Sequence, residues 1–139
     1  MKVIISGLKE LKEFAEKTAK SLQGGEIIAL IGTLGAGKTT FTKMLLKSAG
    51  IKKRVTSPTF VLMLPYKKAA KTFYHIDLYR TKSFKEIQAL DVEQLWGKKE
   101  NIFIIEWADK IKKYLPKKTI YMKFVVKQNN TRELEVIRK

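Results

Sequence analysis

The chain has 139 residues and no cysteine, and its 29 Lys plus Arg against 13 Asp plus Glu give a formal charge of +16 with the single His neutral. That rules out disulfides and thiolate metal sites. No apolar run has the length of a membrane span or the layout of a secretory leader, so a cytoplasmic protein without a membrane partner is expected.

The length predicts one domain over residues 1–139 with one sheet core and helices on it, and no regulatory domain ahead of the first motif. Residues 2–5 read as a short strand. Ser6 is placed to cap a helix running to about Leu22, where Leu8, Leu11, Phe14, Ala15, Thr18, Ala19 and Leu22 recur at three- and four-residue spacing. Gly24 and Gly25 turn the chain into an apolar strand over 27–31, and a helix follows over 38–49, stopped by Gly50. Strands over 60–64 and 72–78 are joined near 67–71, too close for a crossover helix, which predicts an antiparallel hairpin. Short helices over 84–90 and 92–96 divide near Asp91. A strand over 101–106 ends in an acid and leads into a helix over 108–115. Strands over 119–126 and 132–138 flank a turn at 128–130, a terminal hairpin.

Between the second strand and its helix lies GTLGAGKTT, Gly32 to Thr40, which matches G-x-x-x-x-G-K-[ST]. Gly32 and Gly37 allow tight backbone geometry. Leu34, Gly35, Ala36 and Thr40 lie in the same phosphate-binding loop, whose amides approach the phosphates most freely at Gly35 and Ala36. Lys38 brings an ammonium to the β and γ oxygens, and Thr39 offers a hydroxyl to Mg²⁺. ATP and Mg²⁺ are therefore expected. The fold class this predicts is α/β and P-loop NTPase-like: a central mixed sheet flanked by helices, with antiparallel hairpins after the phosphate-loop helix and at the C-terminus.

Such a site needs an acid at the tip of a neighbouring strand to hold the metal or its waters. Glu106 follows an apolar FII and fits that position; Asp77, inside HIDLYR, is its rival and a candidate for orienting the attacking water. The catalytic candidates are thus Lys38, Asp77 and Glu106, with Thr39 and Glu106 on the metal side. Ser57 and Thr59 flank Pro58 in a rigid extended segment and, with Arg80, are candidates for a switch that senses the γ-phosphate. His75 has no Cys or second His with which to share zinc, so it reads as a hydrogen-bonded, partly buried ring or a partner contact. Trp107 is placed to cover the nucleotide, to meet a partner, or to pack on the sheet.

GTLGAGKTT, then Ser57-Pro58-Thr59-Phe60, then His75 to Arg80, then Ile105-Glu106-Trp107 is a series that resembles the TsaE (YjeE) family, small bacterial ATPases of the tRNA threonylcarbamoyladenosine pathway. The resemblance runs through nearly the whole chain in order and length. It implies an ATP- and Mg²⁺-dependent accessory protein that cycles a threonylcarbamoyl-transferase complex of TsaD and TsaB type proteins, with tRNA reached through that complex. It also implies that Leu8 and Leu11 neighbour the adenine. The family often has an acid at the second loop position, where this chain has Thr33. That side chain is not a backbone phosphate donor, so the departure leaves the phosphate cradle intact and bears only on the acid's own role. A nucleic-acid-binding module that holds ATP as a structural ligand is the alternative. A small-molecule kinase is a weaker one, because the chain offers no lid-length insertion and only Arg80 as a suitably placed arginine.

Overall fold

The computed structural model describes residues 1–58 and 62–138. Among these, seven strands form one sheet: β1 (Lys2–Ile5), β2 (Ile27–Gly32), β3 (Met63–Lys68), β4 (Lys71–Asp77), β5 (Asn101–Glu106), β6 (Ile120–Val126) and β7 (Arg132–Arg138). Their spatial order is β1-β7-β6-β2-β5-β4-β3. The helices are α1 (Leu8–Ser21), α2 (Lys38–Ser48), α3 (Phe84–Gln88) and α4 (Val92–Leu95), with 3₁₀ segments at Ala108–Tyr114 and Gln128–Asn130.

The apolar runs decide which strands are central. IIAL of β2 and all of β5 are buried, and the two pair in parallel, an arrangement that needs cover on both faces. Period-two alternation supplies two cores. Ile28, Leu30, Ile102 and Ile104 pack with Leu11, Ala15, Phe41 and Leu45 of α1 and α2. Ile27, Ala29, Phe103 and Ile105 pack with Phe84, Ile87, Val92, Ala108 and Ile111 on the opposite face. Each such side chain, fully buried, contributes about 1.5–3 kcal/mol, so α2 is held to the sheet by several times the strength of any single polar contact.

β4 and β6 extend the parallel set on either side of β2 and β5. Two antiparallel hairpins complete the sheet, β3–β4 after α2 and β6–β7 at the C-terminal end, and β1 pairs antiparallel with β7. This is the mixed, helix-flanked arrangement expected of a P-loop NTPase-like chain.

Three local expectations are corrected. Ser6 does not cap α1: Gly7 occupies the capping position with no side-chain hydrogen bond, and the Ser6 amide instead donates to Glu10 Oε2 at 3.2 Å. β3 starts at Met63, later than expected, because Leu62 adopts φ 73°, and the hairpin closes over only Ala69 and Ala70. Phe60, at the start of the expected strand, lies outside the described residues. The segment after Glu106 is 3₁₀ rather than α, entered from Trp107 at φ 60° and interrupted at Ile111 (φ −124°). Ala108 and Ile111, three apart, eclipse in such a helix and both reach the core.

Candidate functional site

Register brings the chemistry to one end of the sheet. Glu106 pairs across from Leu30 on one side and Asp77 on the other, so both acids stand at the C-terminal tips of parallel strands where the Gly32–Thr40 loop leaves β2. Ligands bind at that end of open α/β sheets. A cavity of about 560 Å³ lies there, lined by Leu34 to Thr40, Ser57, Asp77, Glu106 and Trp107. Leu8 and Leu11 line it too, together with Ile5 and Gly7 from the turn before α1.

The loop glycines differ in why they are glycine. Gly35 and Gly37 have φ 80° and 105°, the left-handed region in which a side chain is strained. Gly32 does not: there a Cβ would lie 2.7 Å from the Phe124 carbonyl oxygen, so the constraint is the close approach of β6. Gly37 caps α2, whose first-turn amides have no partner within the helix and whose positive dipole end faces the cavity.

Lys38 is 4% exposed. Its ammonium donates to the Gly32 carbonyl and, at 3.2 Å, to that of Thr33, and lies 3.7 Å from the centre of the Trp107 ring. Burial pulls it below the usual lysine range, opposed by the carboxylates of Glu106, Asp109 and Asp77. Trp107 therefore lines the cavity and touches the loop lysine, and the Tyr79 ring tilts against it at 5.1 Å.

Glu106 is gripped from two sides. Thr39 Oγ1 donates to its Oε1 at 2.7 Å, and His75 Nε2 meets its Oε2 at 2.6 Å, with His75 fully buried. A carboxylate only accepts, so this contact assigns the Nε2–H tautomer; the buried Nδ1 has no hydrogen-bond partner among the described residues. Asp77 accepts from the Tyr79 amide at 3.0 Å and from Ser57 Oγ at 3.5 Å, which joins a switch candidate to the second acid. Arg80 is exposed and is not among the cavity-lining residues. Thr59 lies outside the described residues.

Two features escaped the sequence reading. His75 is more deeply buried than expected and is bound to Glu106. The signal was available: His75 and Asp77 are two apart on β4, hence on one face, and the partner strand presents Glu106 opposite Asp77. The second is Arg132, which corrects the view of Arg80 as the one suitably placed arginine. Arg132 lines the cavity and its Nη2 donates to the Gly35 carbonyl at 3.4 Å across 97 positions of chain. Only the unforeseen neighbourhood of β7 and the phosphate loop brings it there.

Thr39 and Glu106 offer two oxygens side by side. That suits Mg²⁺, which is typically held by one or two protein oxygens plus nucleotide phosphates and waters rather than by an all-protein cage.

Comparison with known proteins agrees with this geometry. A family model described as "Threonylcarbamoyl adenosine biosynthesis protein TsaE" matches residues 5–134. Proteins named "tRNA threonylcarbamoyladenosine biosynthesis protein TsaE" are similar along most of their length. The one from Rickettsia felis is 38% identical, over 97% of this chain and 78% of the relative. The one from Aquifex aeolicus is 36% identical, over 99% of this chain and 96% of the relative. A crystal structure of YdiB from Bacillus subtilis superposes with a TM-score of 0.77 at 29% identity, covering 96% of this chain and 82% of that one. With the loop, the two strand-tip acids and the sheet order in place, the chain belongs to the TsaE family of threonylcarbamoyladenosine biosynthesis proteins.

Proposed function

We propose that this chain is a Mg²⁺-dependent ATPase that serves tRNA threonylcarbamoyladenosine formation at adenosine 37 by cycling a transferase complex of TsaD and TsaB type proteins. Family membership supports the ATP-binding accessory role. The observation that carries the catalytic reading is the 2.7 Å contact between Thr39 and Glu106 beneath the phosphate loop.

In this reading the amides from Leu34 to Thr40 cradle the phosphates, with the dipole of α2 aimed at the same charge. Lys38 leaves two neutral carbonyl acceptors for phosphate oxygens, exchanging weak partners for charge-assisted ones. Thr39 and Glu106 hold the Mg²⁺, which when bound neutralises charge developing on the phosphoryl oxygens. His75 keeps the second Glu106 oxygen turned away. Asp77, steadied by the Tyr79 amide, orients the attacking water, and Ser57 senses the state of that acid. Leu8 and Leu11 give the base an apolar wall. The chain acts as one domain in the cytoplasm, slow alone and faster when a partner orders the segment around Ser57.

Phosphate release should be measured for the chain alone, with the transferase proteins, and with bare tRNA, using wild type, Glu106→Ala and Asp77→Ala across a Mg²⁺ titration. The reading expects stimulation by the proteins, a displaced Mg²⁺ titration for Glu106→Ala, and retained ATP binding with lost turnover for Asp77→Ala. Strong stimulation by bare tRNA and none by the proteins would favour a nucleic-acid module instead.

A further inference from the structure

Between Glu26 and Asp77 the chain has no acidic residue at all, yet it carries nine Lys or Arg. Six of them, Lys43, Lys47, Lys52, Lys53, Arg54 and Lys68, line one cleft of about 660 Å³ at the C-terminal end of α2. All six are exposed, and no ion pair between any of them and a carboxylate occurs among the described residues. Gly50, at φ 99°, ends α2, and a Cβ there would stand 2.9 Å from Lys68 Cε. The Lys68 stem of the edge strand thus lies across the end of α2.

Cations gathered without acids repel one another and contribute nothing to the fold by pairing. Lysine on an edge strand deters sheet-to-sheet association, which accounts for Lys68 on β3, but Lys43 and Lys47 on a helix and Lys52 to Arg54 in a loop guard no edge. We infer that this cleft binds the phosphate backbone of duplex RNA, at a site separate from the nucleotide cavity. A protein partner fits poorly, because interface cores are depleted in lysine and anchored by aromatic or large apolar side chains. The exposed large apolar residues among those described all lie outside the cleft. Unpaired bases fit no better, since single-strand sites stack bases on aromatic rings and no ring among the described residues lines this one. What remains is sequence-tolerant contact to a backbone. The choice of RNA over DNA rests on the tRNA role proposed above; the site itself does not. The cleft begins at Lys43, past the first turn of α2, and shares no lining residue with the cavity at the phosphate loop, so both can be filled together.

The test is fluorescence anisotropy of a labelled RNA hairpin of arbitrary sequence, titrated with the full chain over a salt series. Lys43→Glu/Lys47→Glu should weaken binding by about tenfold or more at fixed salt and flatten the log–log salt slope by about two, near one per lysine. Lys117→Glu/Lys118→Glu makes the same charge change at exposed positions elsewhere and should cost less than about threefold. Circular-dichroism melting checks that both variants fold. Equal losses in the two pairs would reduce the effect to bulk charge and overturn the site, as would unchanged RNA affinity in the first pair. Displacement by polyglutamate as effective as by unlabelled RNA would give the cleft to an acidic protein instead. Tighter binding of duplex DNA than of the hairpin would overturn RNA as the ligand. None of these readouts involves ATP, so failure here and failure of the ATPase reading are separable.

Discussion

At the N-terminal end of α2, Lys38 is almost wholly buried, folded under Trp107 and surrounded by Glu106, Asp109 and Asp77. Further along and beyond the helix, Lys43, Lys47 and their neighbours stand exposed without a carboxylate partner among the described residues. One helix thus presents the same residue type under two dielectric regimes. Where water is excluded, one ammonium with fixed neighbours can discriminate a phosphate by position. Where water is present, single contacts are weak and screened, so strength comes from number. A point site and a field site on one short helix should answer differently to mutation, salt and pH.

The largest expected difference comes from Lys38→Ala. Losing a charge-assisted phosphate contact of about 1.5–3 kcal/mol weakens ATP binding roughly 10- to 150-fold and abolishes turnover. RNA affinity should stay within about twofold, since one buried cation adds little to a surface field. Calorimetry and phosphate release measure the first, anisotropy the second. Comparable losses in both would collapse the distinction between the two ends.

A smaller effect is expected from His75→Ala, which leaves Glu106 Oε2 buried without its donor and opens a void, at a cost of about 2–4 kcal/mol in folding stability. The Mg²⁺ dependence of nucleotide binding should move several-fold upward while RNA binding holds. His75→Gln, which retains an N–H donor, should recover part of the Mg²⁺ shift. A lower melting temperature with an unchanged Mg²⁺ titration would make the histidine merely structural.

The smallest effect is a pH dependence at the buried end. Because burial lowers the Lys38 value in the folded chain below its ordinary 10.5, the unfolded chain binds more protons in the window between the two. The contribution of Lys38 to stability therefore rises with pH across that window, as the cost of burying charge is relieved. ATP affinity moves the other way, since a neutral amine loses its charge-assisted bond, and binding there takes up a proton. Calorimetry in buffers of different ionisation enthalpy should detect that uptake in wild type and not in Lys38→Ala.

What could be read from the residues follows the range of the forces. The strand–loop–helix around Gly32 to Thr40 is local, and so is the apolar run ending in Glu106; both were legible because period and glycine spacing encode them directly. The placement of Glu106 beside Thr39 followed from motif logic. Its second partner did not, because His75 reaches it only through the parallel register of β4 and β5. Arg132 was invisible for the same reason at longer range: its role needs β7 to lie next to β6, and β6 next to β2. The misjudged start of α1 has a different cause. Ser6 is a good capping residue, but the cavity takes the turn at Gly7, and the neighbouring amide of Ser6 satisfies itself on Glu10.

The pairing of β1 with β7 has a consequence in time. The amide of Val136 donates to the Met1 carbonyl at 2.8 Å, and Ile5 and Gly7 share the cavity beside the phosphate loop with Arg132 and Leu134. During synthesis β1 is made long before β7, its neighbour in the sheet among the described residues, exists. It must wait, unpaired, for nearly the whole chain to follow, and closing so long a loop comes late in folding. The phosphate loop, its lysine and both acids have all been synthesised before the pocket that needs them has a wall. A nascent chain of this kind should therefore be unable to retain nucleotide until β7 has emerged, which makes ligand capture a report that translation has passed β7.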